Sequence, residues 1–220
     1  SRFARYYGLA ADGYGAETDA VPYIGKGTDW QDVMLNTAMV YKANIAVTGG
    51  SKNASFSASG GYLNKDGIMR NSSHESYNIR LKSDFSFLNN RVTVGESLIL
   101  RLAEGKGGTD QDTMNGLLRF PSVVPIFDSE NATGWGTSAD INLPNPYAIN
   151  DITSESTQIF LNAYLQAEII NGLKYKLNLG LRRNHTKNRN YTDAYDLGTY
   201  GINESPDLSE SFSSFDSWVL

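Results

Sequence analysis

Between Lys42 and Phe87 the chain changes character residue by residue, which is the period of a β-strand with two different faces. In the first such segment Tyr41, Ala43, Ile45 and Val47 share one face, and Lys42, Asn44, Ala46 and Thr48 the other. In the second, Phe56, Ala58, Gly60 and Tyr62 oppose Ser55, Ser57, Ser59 and Gly61. The third sets Tyr77, Ile79, Leu81, Phe85 and Phe87 against Asn78, Arg80, Lys82, Asp84 and Ser86, with Ser83 the one polar member on the apolar face. The connections alternate too. Gly49 to Asn53 reads as a tight turn in which glycine and asparagine supply positive φ, Asn64 to Ser76 is long and polar, and Leu88 to Arg91 is short again. Long strands with a dyad pattern, joined by turns alternately short and long, are what an outer-membrane β-barrel requires. A soluble sandwich also alternates, but its strands average about five to six residues. These approach or exceed the roughly 9–11 needed to cross a bilayer at a tilt.

Arg91 to Ala103 continues the pattern, with Val92, Val94, Leu98, Leu100 and Leu102 on one face and Thr93, Gly95, Ser97 and Arg101 on the other. Glu96 and Ile99 break it. Five residues past a turn, Glu96 is expected near the membrane edge, where a lipid-facing carboxylate costs less. Two further strands alternate sharply. Ile159, Leu161, Ala163, Leu165, Ala167 and Ile169 oppose Gln158, Asn162, Gln166 and Glu168. After Asn171-Gly172, Leu173, Tyr175, Leu177, Leu179 and Leu181 oppose Lys174, Lys176, Asn178, Gly180 and Arg182. No soluble core would accept that polar face unpaired, so it is expected to line water. Asn44, Arg80, Lys82, Arg101, Asn162, Lys176 and Arg182 are therefore expected to face the lumen.

The chain divides accordingly. Residues 1–38 read as an extracellular connection, with Thr28 or Asp29 capping a helical turn to about Asn36. Residues 39–103 hold four barrel strands, and 104–156 form a long extracellular loop containing Pro121, Pro125, Pro144, Pro146 and a short helix over Asp110–Arg119. Residues 157–191 form a hairpin, and 192–220 a loop leading into a strand at Phe212–Val219. Expected strands are 40–49, 54–64, 76–88, 91–103, 157–170 and 173–190, sequence neighbours pairing antiparallel. All short turns then lie at one, periplasmic, end.

Four pieces of the chain, in this order and spacing, resemble the SusC/RagA family of TonB-dependent outer-membrane transporters. They are Thr28-Asp29-Trp30-Gln31-Asp32, Asn44-Ile45-Ala46-Val47-Thr48-Gly49-Gly50-Ser51, Ser59-Gly60-Gly61-Tyr62-Leu63-Asn64-Lys65-Asp66-Gly67-Ile68 and Tyr77-Asn78-Ile79-Arg80-Leu81. The family usually carries arginine before that tyrosine, where Ser76 stands here. The resemblance implies an all-β antiparallel meander within a large transmembrane barrel in the outer membrane of a Gram-negative bacterium. It implies import of an oligosaccharide or peptide, with a SusD-like lipoprotein lid and the TonB complex as partners. Since the family barrel has about 22 strands around a plug, the chain is expected to be a fragment near the start of the barrel. Its sheet should then be open, with bare edges at 40–49 and 173–190 and a poorly anchored 104–155 loop. A passive porin and a soluble β-rich sugar-binding or adhesin module are the alternative readings.

Other chemistry is sparse. The absence of cysteine excludes disulfides and thiolate metal sites, and a net charge of −5 argues against a nucleic-acid surface. There is no run of about 18 apolar residues for a helical span. Asp110/Asp112 and Asp128/Glu130 read as solvated loop charge, and Asp128 to Asn131 lacks the pattern of an EF-hand. His74 and His185 have no spacing for a metal or a triad. No catalytic group, metal or cofactor is expected. Trp30, Phe127, Trp135 and Tyr147 fall in loops and are the candidate contacts for a sugar ring or peptide.

Overall fold

The computed structural model describes residues 27–107, 117–122, 124–129, 131–136, 145–146, 151–196 and 202–220. One short helix, α1 (Trp30–Met34), precedes β1 (Val40–Gly50), β2 (Ala54–Asp66), β3 (Ser73–Phe87) and β4 (Val92–Lys106). After the long connection come β5 (Asp151–Ile170), β6 (Leu173–Thr192), the two-residue strands β7 (Tyr195–Asp196) and β8 (Ile202–Asn203), and β9 (Asp207–Val219). β1 to β6 and then β9 form one seven-stranded antiparallel sheet in that order, and β7 pairs only with β8. Each neighbour in the large sheet follows its predecessor in sequence, β7–β8 aside, so the turns 51–53, 88–91 and 171–172 share one end. This is an all-β antiparallel meander, a stretch of barrel wall that does not close on itself, with β1 and β9 as edges.

The hydrogen-bond register settles which side chains share a face. Ile45 aligns with Gly60, Ile79, Leu100 and Ile159. Val47 aligns with Ala58, Leu81, Leu98, Leu161, Leu181 and Trp218. Nothing packs on this apolar face among the described residues, for Ile45 is 72% exposed and Trp218 81%. The two exceptions in the pattern prove to be one pair: Ser83 lies opposite Glu96 and donates its Oγ–H to Oε1 at 3.0 Å. Glu96 does not lie at the edge of the apolar set, because Val94 and Val92 stand between it and the turn.

The apolar band slants across the register rows. At the long-connection end it reaches Tyr41 on β1, Leu102 on β4, Ile159 on β5 and Leu181 on β6. Leu102 is in register with Ala43, Ile159 with Ile45 and Leu181 with Val47, so the edge drops by two residues, four and then six relative to Tyr41. At about 3.4 Å per residue and about 4.8 Å between strands, that is a fall of about 20 Å over about 24 Å, a slope of about 40°. The turns step the same way: Phe87 opposite Val92 lies beyond the level of Ala54, and Ile170 opposite Leu173 beyond both. Strands of outer-membrane barrels tilt by about 35–45°, and a level hydrocarbon layer must then cut the rows at that angle. Tyr62 and Tyr77, adjacent in register with ring centroids 5.0 Å apart, stand at the band's upper edge as interfacial aromatics do.

Several boundaries differ from the sequence expectation. β4 runs to Lys106 and β5 starts at Asp151, so the 104–156 connection is shorter than expected; Lys106 aligns with Thr153 and Glu104 with Glu155. Above the band neither face keeps an apolar set, and alternation disappears while backbone pairing continues. β9 is a full strand over serine-rich sequence for the same reason, and it covers the edge of β6 expected to be bare. Gly49 and Gly50 belong to β1 and are absent from the left-handed positions, which are Leu88, Asn89, Asn90 and Gly172 in these turns. Gly49 serves close approach instead, since a Cβ there would lie 2.7 Å from Phe56 Cζ.

Candidate functional site

At the long-connection end the loops fold onto one another. Asp29 caps α1, its Oδ1 accepting from the N–H of Gln31 and Asp32 at 3.1 Å, and the helix ends at Met34, short of Asn36. Trp30 and Met34 then pack with Met69 of the β2–β3 connection and with Leu117, Phe120 and Val124 of the long connection. Trp30 meets Phe120 edge-on, centroids 5.0 Å apart, and donates Nε1–H to the Pro121 carbonyl at 3.1 Å. Thr28 donates its backbone N–H to the Ser122 carbonyl and its Oγ1–H to that of Val124. The N–H of Asn36 goes to Ile68 and that of Arg70 to Met34. Residues 117–122 and 124 of the long connection are therefore anchored, contrary to the expectation of a loose loop, because Leu117, Phe120 and Val124 find Trp30 and Met34. Of the predicted helix at 110–119, residues 117–119 are helical and the rest lies outside the described residues.

Beyond that core, residues 126–129 and 131–136 form a tongue. Phe127 and Trp135 bridge as antiparallel partners with rings stacked at 5.1 Å and 27°. The Gly136 N–H donates to Ile126 and that of Asp128 to Gly134. Asn131 Nδ2 donates to the Trp135 carbonyl at 2.6 Å, and Asn145 Nδ2 clamps the base through the carbonyls of Ile126 and Gly136. Asp128, expected to be solvated, is buried in this turn, and Phe127 is 61% exposed at its tip. Of the four candidate loop aromatics, Phe127 and Trp135 thus come together and the first is presented to solvent. Trp30 is 4% exposed and spends its ring on the core, so it offers no free stacking face. Tyr147 lies outside the described residues.

The polar face of the sheet is the second element. The register places Asn44 and Arg101 in one row, Arg80 and Arg182 in another, and Lys82 and Asn162 in a third, with Lys176 on the same face. All seven are exposed. Sequence reading missed the network that organises one end of this face. Asp84, Gly95 and Tyr164 are aligned across β3, β4 and β5, and the Tyr164 hydroxyl reaches over the glycine to Asp84 Oδ1 at 2.5 Å. Lys82 Nζ lies 3.5 Å from the other carboxylate oxygen, and Lys176 Nζ lies 4.7 Å above the Tyr164 ring. The available signal was Gly95, since a glycine inside a strand often marks a close approach. Among the described residues no cluster of His, Cys, Asp or Glu could hold a metal.

No family model matches the chain. Curated relatives do. TonB-dependent receptor P3 of Formosa agariphila is 26% identical over 172 residues, covering 73% of this chain and 17% of that protein. TonB-dependent receptor P26 of the same organism is 25% identical over 143 residues, covering 62% and 13%. The chain also superimposes on the RagAB peptide transporter with a TM-score of 0.62 at 22% identity, covering 97% of this chain and 26% of that one. The RagAB peptide importer in its closed-closed state gives 0.60 at 22% identity. The resemblance to SusC/RagA-type TonB-dependent transporters stands. The solved structures carry the fold, and the receptors carry the sequence likeness. The chain spans about a sixth of the length of the P3 receptor. These relatives are receptors and transporters in name, not enzymes.

Proposed function

We propose that the chain forms part of the wall of a TonB-dependent outer-membrane transporter that imports a large nutrient, an oligosaccharide or a peptide. The single observation that carries the membrane reading is the slanted apolar band. A greasy face tilted by about 40° to the hydrogen-bond rows fits a level lipid layer cut by tilted strands. A soluble sandwich has no reason to tilt its apolar face in this way, since it buries against a second sheet. The receptor relatives and the RagAB-like fold support the energised transporter over a passive pore.

In this reading Arg80, Lys82, Arg101, Arg182 and their row neighbours line the lumen, and the long connections face the cell exterior. The tongue that carries Phe127 and Trp135 is then a contact for substrate or for a SusD-like lipoprotein lid. Its exposed ring on a hydrogen-bonded base has little ordering entropy to lose on binding. Coupling to the TonB complex falls to parts of the protein other than these strands. The test is expression, in a Gram-negative host, of the complete protein that carries this chain. Outer-membrane recovery and substrate uptake that stops when the proton-motive force is collapsed are expected. Recovery in the soluble fraction without detergent refutes the membrane reading, and uptake that survives the collapse makes the protein a passive pore.

A further inference from the structure

The two faces of the sheet differ in charge as sharply as in polarity. Counted along the register, the polar face carries eight Lys and Arg side chains against Asp84, Glu168 and Asp207, whereas the opposite face carries four against eight Asp and Glu. A chain of net charge −5 has thus gathered positive charge on one wall. Within that wall Arg80, Arg101 and Arg182 are exposed and pair with no carboxylate among the described residues. Arg80 and Arg182 share a row through Ile99 and Phe160, about 14 Å apart at about 4.8 Å per strand. Arg101 sits diagonally from Arg80, one row along. The Arg182 guanidinium lies 5.2 Å over the Phe160 ring and 5.8 Å over that of Phe215. Around the arginines stand amides: Asn78 beside Arg101, Gln158 beside it on β5, and Asn162 two rows further, past Phe160.

We infer that this wall selects an acidic oligosaccharide, one whose repeating units carry carboxylate or sulfate groups. Guanidinium forks match such oxyanions bidentately and hold them more strongly than a neutral donor would. The rings of Phe160 and Phe215 carry the planar Arg182 guanidinium over them, which orders one of these arginines for such a group. Planar amides between them can pair with neighbouring hydroxyls, which a sugar has at every unit and an acidic peptide lacks. In a narrow lumen a one-sign wall also concentrates its counter-charge. The inference rests on the proposed function, because it needs this face to line the lumen.

The experiment uses the complete protein in lipid nanodiscs and measures binding of four probes by calorimetry: oligo-alginate, oligo-carrageenan, a neutral malto-oligosaccharide and an oligo-glutamate peptide. At least one acidic oligosaccharide is expected to bind about tenfold or more tighter than the neutral one, weakening as salt rises from about 50 to about 300 mM. The double variant R80Q/R101Q and the single variant R182Q are each expected to raise its Kd by about tenfold and to cut the preference for the acidic over the neutral sugar. Equal binding of acidic and neutral sugars overturns the inference, as does tighter binding of oligo-glutamate. So do variants that still bind the acidic sugar normally, and so does loss of the folded, heat-modifiable form in these variants, since the arginines would then pair with another part of the protein. Failure of the proposed function reads differently: the protein would not enter the membrane at all.

Discussion

The groove at Gly95 gives the sharpest test of the sheet's polar face. Asp84 and Tyr164 belong to strands on either side of β4, so their contact exists only because the residue between them has no side chain. A Cβ on Gly95 would lie 2.6 Å from Tyr164 Cζ and would also run into Tyr164 Cε1 and Asp84 Oδ1. Gly95→Ala therefore forces the tyrosine off the groove and breaks the bond to Asp84. A hydrogen bond to a charged group contributes about 1.5–3 kcal/mol, and replacing a strand glycine by alanine returns about 0.5–1. The net expectation is a loss of about 1–2 kcal/mol, read as a lower urea midpoint for the refolded complete barrel in vesicles. In a Tyr164→Ala background only the Asp84 carboxylate remains in the way, and without its tyrosine partner that side chain can swing aside, so Gly95→Ala should be neutral or slightly stabilising. If Gly95→Ala costs the same in both backgrounds, the glycine is needed for some reason other than the tyrosine, and the groove argument fails.

Ser83→Ala should destabilise the barrel by about 1–3 kcal/mol by leaving the lipid-side Glu96 carboxylate without its donor. The double replacement Ser83→Val with Glu96→Val should recover that loss in the same urea titration, because an apolar pair suits the band better. Cysteines placed at Asn162 and Lys176 should react with a water-soluble maleimide in intact vesicles, whereas cysteines at Leu165 and Leu177 should not; equal labelling would mean the apolar face meets water. Trp30→Ala should open the long connection to limited proteolysis between about residues 117 and 136 without altering membrane insertion, since α1 holds that loop while touching none of the large sheet's pairing.

How much of this was legible in the chain depends on where water lies. Through the band each strand carries one apolar and one polar face, so the segments with Ile45, Leu81, Leu100, Leu165 and Leu177 announce both their strands and their faces. Past the band both faces are solvated. The strand ends at Asp151–Glu155 and the whole of β9, with its run of serines, therefore carry little hydropathy signal even though their backbones pair fully. Exceptions in a pattern were misread one at a time. Ser83 and Glu96 look like separate faults in sequence and are a single satisfied pair in register. Trp30 as a candidate ligand platform failed because nothing local tells a loop tryptophan that a phenylalanine ninety residues later will cover it.

The separation of the two cohesive regions follows from the same physics. If the apolar face meets lipid, as proposed, an outward leucine needs no protein partner, and the sheet can leave that face bare and rely on backbone pairing, which water cannot undercut inside a bilayer. The loops beyond the band stand in water and must bury apolar side chains against each other or remain unordered. Of the buried hydrophobic residues described, all six belong to that loop cluster and none to the seven-stranded sheet. The two regions join along the chain itself, just before β1 and between β2 and β3, where Leu35 bridges Met69. A change in the loop core should thus alter what the outer surface presents while leaving the wall intact, and a change in the wall should do the reverse. That independence allows the connections of such a barrel to vary in recognition without disturbing the strands that carry them through the membrane.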